Sequence, residues 1–332
     1  MRKVQYISSC IMNSYLDQLA RDCYAEISQI VTYSFCEGVW LPDDYLEVKD
    51  AIDNFEIRDD DTWVSGFFKT GTTWTEEMVW CTGNDLDFER ATEKLDLRFP
   101  LLEGSHALRS RCLSRRFNNP IFGRTIEEIA ALPSPRFICT HLPYHLLPKA
   151  LQQPNRKAKI VHVIRNPKDT CISAYHFFRR IDGFRGSFED FLPCTPFWEH
   201  LVGFYKYKGS DNILILKYED MKKNLPAIIQ KVAAFLGKSF SDDQVSILAE
   251  HLSFNKMKEN KAVSYEKTGN LDLDKLWGKE ISTSSSTSSH MRKGEVDQWK
   301  SEMSQEIIES FNDWTDKKRK LYPELESDFG SY

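Results

Sequence analysis

Two groups of residues in this 332-residue chain have the types and spacing to hold an anionic ligand and move a proton. The first is Lys69-Thr-Gly-Thr-Thr-Trp74, which follows the apolar run Thr62-Trp-Val-Ser-Gly-Phe-Phe68 and leads into Thr73-Trp-Thr-Glu-Glu-Met-Val-Trp80. Read as strand, turn and helix, this stretch gathers backbone N–H groups around a phosphate. Gly71 permits the tight turn, Lys69 brings a point charge, and Thr72 and Thr73 bring hydroxyls to the positive end of the helix. The order differs from the standard nucleotide loop, because the lysine precedes the glycine and no Gly-x-x-x-x-Gly-Lys-Ser/Thr occurs. The second group is Asn166-Pro-Lys-Asp169 behind Arg165. Asn166 caps a helix, Pro167 suits its first position, and Asp169 is placed to return a capping-box bond. Two neighbouring helix starts of this kind imply a ligand with two phosphate-like groups.

The elements that position these residues are four short apolar runs, Trp63–Phe68, Arg136–Thr140, Lys159–Arg165 and Asn212–Tyr218. Helical patterns separate several of them, which predicts an α/β fold with a mainly parallel sheet. Ligands of such sheets gather beyond the C-terminal strand ends, where Lys69, His141, Arg165 and Tyr218 fall. A helix starting at Asn224-Leu-Pro226 and ending at Gly237 reads as scaffold. Asp59-Asp60-Asp61 reads as a solvated turn. The spacing of Met303, Ile307, Ile308, Phe311 and Trp314 predicts an amphipathic helix packed on the main body. No repeat or interdomain break is visible. The expected organisation is a single domain over 1–332, with an N-terminal extension 1–37 and a mobile serine-rich loop 282–289.

Composition narrows the function. A net charge of −5, from 44 basic and 49 acidic residues, gives no nucleic-acid footprint. No run of about 18 apolar residues suggests a membrane span, and the first dozen residues make a poor secretory signal. A cytoplasmic protein is expected. The eight cysteines are scattered without a Cys-x-x-Cys pair, which favours reduced thiols. Plainer readings stand beside each motif. The loop could be an ordinary strand–turn–helix joint, and a lone strand-end histidine is more often a structural hydrogen-bond partner. Arg165 could serve an ion pair, Trp74 the core, and Ser173 a bond back along its helix. Cys139, His141 and His145 lie close in sequence, but without further ligands they support no metal site.

Taken in order, the motifs resemble those of the cytosolic sulfotransferases, and the chain is identified as an invertebrate-type member over roughly residues 38–320. That family carries Tyr-Pro-Lys-Ser-Gly-Thr-Thr-Trp where this chain has Phe67-Phe-Lys-Thr-Gly-Thr-Thr-Trp74, and Lys-Thr-His-Leu-Pro where it has Cys139-Thr-His-Leu-Pro143. Arg165-Asn-Pro-Lys-Asp169 with Ser173, Tyr218-Glu-Asp-Met-Lys-Lys223 and Arg292-Lys-Gly294 follow in the family's order. The resemblance implies a P-loop-like sulfotransferase fold with helices flanking the sheet. It also implies transfer of a sulfonate from 3'-phosphoadenosine 5'-phosphosulfate (PAPS) to a hydroxyl of a small apolar or phenolic acceptor, releasing 3'-phosphoadenosine 5'-phosphate (PAP).

By the same resemblance, Lys69, Thr70, Gly71, Thr72 and Thr73 hold the 5'-phosphosulfate, and Trp74 and Phe254 flank the adenine. Arg165, Ser173, Arg292, Lys293 and Gly294 receive the 3'-phosphate, and Tyr218 lies near the nucleotide. His141 is the catalytic base, with Lys69 assisting catalysis. Leu101, Cys139 and Phe177 line the acceptor pocket. The chain departs from the family at Phe68, in place of a proline, and at Cys139, in place of a lysine beside the reacting centre. Leu101 replaces a pocket aromatic, Leu252 a threonine near the adenine, and His290 a phenylalanine. The family's C-terminal dimer motif is weakened to Lys300, Ser304-Gln305 and Glu309, so a monomer or weak homodimer is expected. The alternatives are a catalytically weak nucleotide- and lipophile-binding relative and an ATP-dependent small-molecule kinase. The missing Gly-Lys-Ser/Thr order disfavours the kinase.

Overall fold

Branched and aromatic residues fill both faces of four short strands, so these strands need cover on both sides, and a central parallel sheet provides that environment. The computed structural model describes residues 33–36, 39–42, 44–104, 124–181, 186–191, 197–263 and 293–325, and the structural statements below concern these. An antiparallel hairpin of β1 (Tyr33–Cys36) and β2 (Val39–Pro42) precedes helix α1 (Asp44–Asp53). Then come β3 (Thr62–Gly66), α2 (Thr72–Gly83), β4 (Phe137–Thr140), β5 (Lys159–Ile164), α3 (Pro167–Ile181), α4 (Phe197–Tyr205) and β6 (Ile213–Lys217). Beyond β6 lie α5 (Tyr218–Lys223), α6 (Leu225–Leu236), α7 (Asp242–His251), α8 (Phe254–Glu259) and the terminal α9 (Gln305–Leu321).

The sheet order is β4-β3-β5-β6 and every pairing is parallel. Successive strand residues therefore serve opposite cores. Val64, Val161 and Leu214 pack with Met78 of α2, Ile229 and Val232 of α6, and Leu248 of α7. Trp63, Ile138, Ile160 and Ile213 face the other way, against Val48 and Ile52 of α1 and Phe204 of α4. Three strands stop one or two residues before their expected limits, because Phe67 already belongs to a turn, Arg165 leads to a helix cap and Tyr218 opens α5. Asn224 caps α6 by accepting from the Ala227 N–H at 3.2 Å, and Gly237 ends it with φ 77°. Ile307 and Phe311 seat α9 against Cys171, Ile172 and Ala174 of α3, as the tail pattern predicted.

Asp61 departs from the expected solvated turn. It is buried at the entry end of β3, where its two carboxylate oxygens accept from Arg136 Nε at 2.8 Å and a terminal nitrogen at 2.6 Å. Its neighbours Asp59 and Asp60 are exposed, as expected. The charge is tolerated inside because a guanidinium fork matches a carboxylate and itself lies over the Phe55 ring. Cys81, Cys139 and Cys171 are buried thiols outside any disulfide. No helix among the described residues is long and apolar enough to cross a membrane. Residues 1–32 of the N-terminal extension, the serine-rich loop, His290 and Arg292 lie outside the described residues.

Candidate functional site

Because all four strands run the same way, the residues following Gly66, Thr140, Ile164 and Lys217 meet at one edge of the sheet. The loop after β3 is drawn tight by Thr70, whose N–H and hydroxyl both reach the Phe67 carbonyl, at 3.2 and 2.6 Å. Lys69 and Gly71 take left-handed conformations, with φ 69° and 107°. At Gly71 a side chain is excluded twice over, by this φ and by Tyr218 Cδ2, 2.7 Å from where a Cβ would stand. Gly71 offers no capping side chain to α2, so the first-turn N–H groups of Thr72 and Thr73 are available to an anion. The Lys69 ammonium lies 4.4 Å from the Phe177 ring centroid. Burial, aided by the Arg165 charge, holds this amine down at about 7.

Arg165 leaves β5 buried and lies across the loop. Its terminal nitrogens donate to the Lys69 carbonyl at 3.3 Å and the Glu295 carbonyl at 2.9 Å, while the guanidinium stacks 4.4 Å over Tyr218. Its buried Nε has no partner among the described residues, an orphan donor in the place expected to take phosphate. Asn166 caps α3 as expected, accepting from Lys168 and Asp169 N–H at 2.8 and 3.4 Å. The reciprocal capping bond is a correction. The Asn166 N–H goes to Glu219 at 2.8 Å, and Asp169 instead accepts from the Asp297 and Trp299 N–H groups at 2.7 and 3.2 Å. An aspartate is one methylene shorter than the glutamate or glutamine that closes a capping box, so it is free to hold the 297–299 turn.

That turn carries Lys293 and Gly294 past the site. Gly294 has φ 63°, and a Cβ there would stand 2.3 Å from Phe254 Cδ2, so glycine lets the backbone lie on the ring. Lys293 is exposed, with its amine 3.4 Å from Glu302. Ser173 is half-buried on α3. On the opposite flank, Trp74 Nε1 donates to the Leu252 carbonyl at 2.9 Å, and the Trp74 and Tyr218 rings meet edge-on at 5.6 Å. An aromatic wall thus stands beside an anion-binding loop. The residues present fit a nucleotide carrying phosphates at both ends.

His141 follows β4. Its Nδ1 lies 2.8 Å from the Gly66 carbonyl, and a carbonyl can only accept, so in the neutral ring the proton is on Nδ1 and the lone pair on Nε2. Glu103 accepts the His141 N–H, and its other oxygen takes the Thr140 hydroxyl at 2.9 Å. Cys139 is core-buried and donates to Glu76 at 3.0 Å. Burial lifts the Glu76 carboxyl to about 7 and pushes the Cys139 thiol well up. Leu101 bridges to Cys139 at the sheet edge. Among the described residues Cys139, His141 and His145 form no ligand cluster; the group that does converge is Glu77, Cys81 and His251. In that group Glu77 pairs with Arg98 and, at 2.7 Å, with His251.

The loop, Trp74, Arg165, Tyr218, Phe254 and Gly294 come together as their motifs suggested. Sequence reasoning missed Glu103, Glu219, the 297–299 partners of Asp169 and the Gly66, Leu252 and Glu295 carbonyls. Glu219 had a visible signal, being an acid within a motif already singled out; the carbonyls had none.

Comparison with known proteins gives the family and the fold. The model of the sulfotransferase domain matches residues 59–323. A luciferin sulfotransferase of Photinus pyralis is 39% identical over 285 residues, covering 82% of this chain and 75% of the relative. An amine sulfotransferase of Oryctolagus cuniculus is 32% identical over 293 residues, covering 84% and 87%. The solved structure of retinol dehydratase in complex with retinol and PAP superimposes with a TM-score of 0.78 at 28% identity, covering 92% of this chain and 94% of that one.

Proposed function

The chain belongs to the sulfotransferase domain family, and from that premise we propose how its residues carry sulfonate from PAPS to a hydroxyl of a small apolar or phenolic molecule. The observation that carries the reading is the His141 tautomer. With Nδ1 tied to Gly66, the Nε2 lone pair is at the sheet edge that also bears the Lys69–Thr73 loop. There it accepts the hydroxyl proton as the acceptor oxygen attacks. PAPS supplies the activated sulfonate and leaves as PAP. Lys69 and the first N–H groups of α2 stand where negative charge gathers on the departing phosphate. Arg165, Ser173, Lys293, Gly294 and Arg292 receive the 3'-phosphate; Trp74, Tyr218 and Phe254 flank the base. Leu101 and Phe177 face the acceptor, and Cys139, expected beside them, is instead turned into the core against Glu76.

The test is mass analysis of products formed from PAPS and a mixture of hydroxylated acceptors. Sulfate esters are expected with the parent protein. His141→Ala is expected to lose most turnover while PAP binding stays within about twofold, since the imidazole acts on the acceptor and not the nucleotide. Undiminished turnover in that variant removes His141 from the role. The likeness to retinol dehydratase favours a second outcome for some alcohols, in which the new sulfate leaves again with its C–O electron pair while the carbon skeleton gives up a C–H proton to form a double bond. The same mass analysis separates gain of a sulfonate from net loss of water.

A further inference from the structure

His141 is held at every torsion that aims its ring. The Glu103 carboxylate takes its N–H. His200 Nε2 donates to its carbonyl at 3.0 Å, and Gly66 takes its Nδ1 proton at 2.8 Å. The first two bonds lie on the two peptide planes flanking its Cα and so fix its φ and ψ; the third fixes the side-chain angles.

We propose that Glu103 and His200 are positioning residues that aim the His141 lone pair at the acceptor hydroxyl. The proposal rests on His141 being the base. Neither residue belongs to the nucleotide loop, and both are unlike ordinary packing. Glu103 follows the edge segment paired to β4, where the Leu102 N–H donates to the Cys139 carbonyl at 2.9 Å. Its carboxylate bridges the peptide of His141 and the Thr140 hydroxyl, which in turn accepts from the Leu142 N–H at 3.1 Å. The bridge therefore grips three consecutive residues of the loop that carries the base. His200 comes from α4 on the far side. It is buried, and its ring stacks on His162 with centroids 5.7 Å apart. Burial holds it neutral, at about 3. A neutral ring with its single proton on Nε2 points that proton at the loop backbone of His141 and Leu142, with the His141 carbonyl in bonding range, while its buried Nδ1 has no partner among the described residues.

Displacement of a catalytic group by about 1 Å can cost on the order of 100-fold in rate. Glu103→Leu and His200→Phe are accordingly expected to lower kcat by about 30-fold or more, with the PAP dissociation constant within about twofold of the parent. Glu103→Gln keeps an oxygen for the His141 N–H and an amide for Thr140, and should recover about 10-fold of what leucine loses. A role in stability alone predicts no such rescue in kcat among variants that bind PAP equally. A second readout needs no turnover. In the nitrogen-15 imidazole spectrum, the His141 signal, assigned by its loss in His141→Ala, should show one protonated Nδ1 in the parent. In Glu103→Leu and His200→Phe that signal should average between tautomers. Parental kcat and an unchanged imidazole signal in both variants, alongside an inactive His141→Ala, would overturn the positioning role and leave the base intact. Full turnover in His141→Ala would instead remove the base and the positioning role with it. Should Glu103→Leu fail to fold, His200→Phe, which keeps an aromatic ring in an aromatic setting, still decides the matter.

Discussion

Arg165 touches two carbonyls and one ring, yet its Nε has no partner among the described residues, and this asymmetry separates its structural from its ligand role. A charge-assisted bond to phosphate contributes about 1.5–3 kcal/mol. Arg165→Ala should therefore weaken PAP binding by about 10-fold or more and narrow the preference for PAP over AMP. Calorimetric titration of both nucleotides into both proteins checks this, and equal preference ratios would exclude contact with the 3'-phosphate. Lys69 gives a pH signature. In the free protein its amine titrates at about 7, so above that pH most molecules carry it neutral. A bound phosphate favours the ammonium and raises its pKa, so binding takes up a proton. PAP affinity should fall above about pH 7, by up to about tenfold per pH unit, until the bound-state pKa is reached. Titrations at about pH 8.5 in buffers of different ionisation enthalpy should show proton uptake that Lys69→Met abolishes.

Among elements, the entry end of the sheet is held by a charge pair and the exit end by ligand-facing loops. Asp61→Ala strands a buried guanidinium between β3 and β4 and should cost about 3–5 kcal/mol in denaturant unfolding. Arg136→Met with Asp61→Leu should recover most of that loss. The strands themselves were legible in the sequence, because burial on both faces forces unbroken branched runs such as Lys159–Ile164. The two helix starts were legible for the same kind of reason, since caps and prolines act over three or four residues. Asp61 was not. A run of three acids looks solvated until its partner, 75 residues away, is known. The clamp on His141 was hidden for the same reason: Glu103 and His200 lie 38 and 59 residues from the groups they hold. Nothing local distinguishes a bonded carbonyl such as that of Gly66 from any other.

For the whole molecule, the site is made from positions as far apart as Lys69 and Gly294, joined by the completed sheet, by Arg165 bridging the Lys69 and Glu295 carbonyls, and by the grip of Asp169 on the 297–299 turn. A nucleotide at this junction binds only the assembled fold, so PAP at about 100 times its dissociation constant should add about 2.7 kcal/mol to global stability. Hydrogen exchange should slow across β3, β5 and β6 together and not in the loop alone. The left-handed backbone of Lys69 sets a conflict between what the fold prefers and what the reaction requires. Glycine accepts φ 69° without strain and would carry no amine to desolvate there, so Lys69→Gly should melt higher, by roughly 1 kcal/mol at 25 °C, and turn over poorly. Selection for thermal endurance alone would drive this position to glycine. A lysine stands there, which makes residue 69 a place where a stability screen and an activity screen of the same library should choose opposite winners.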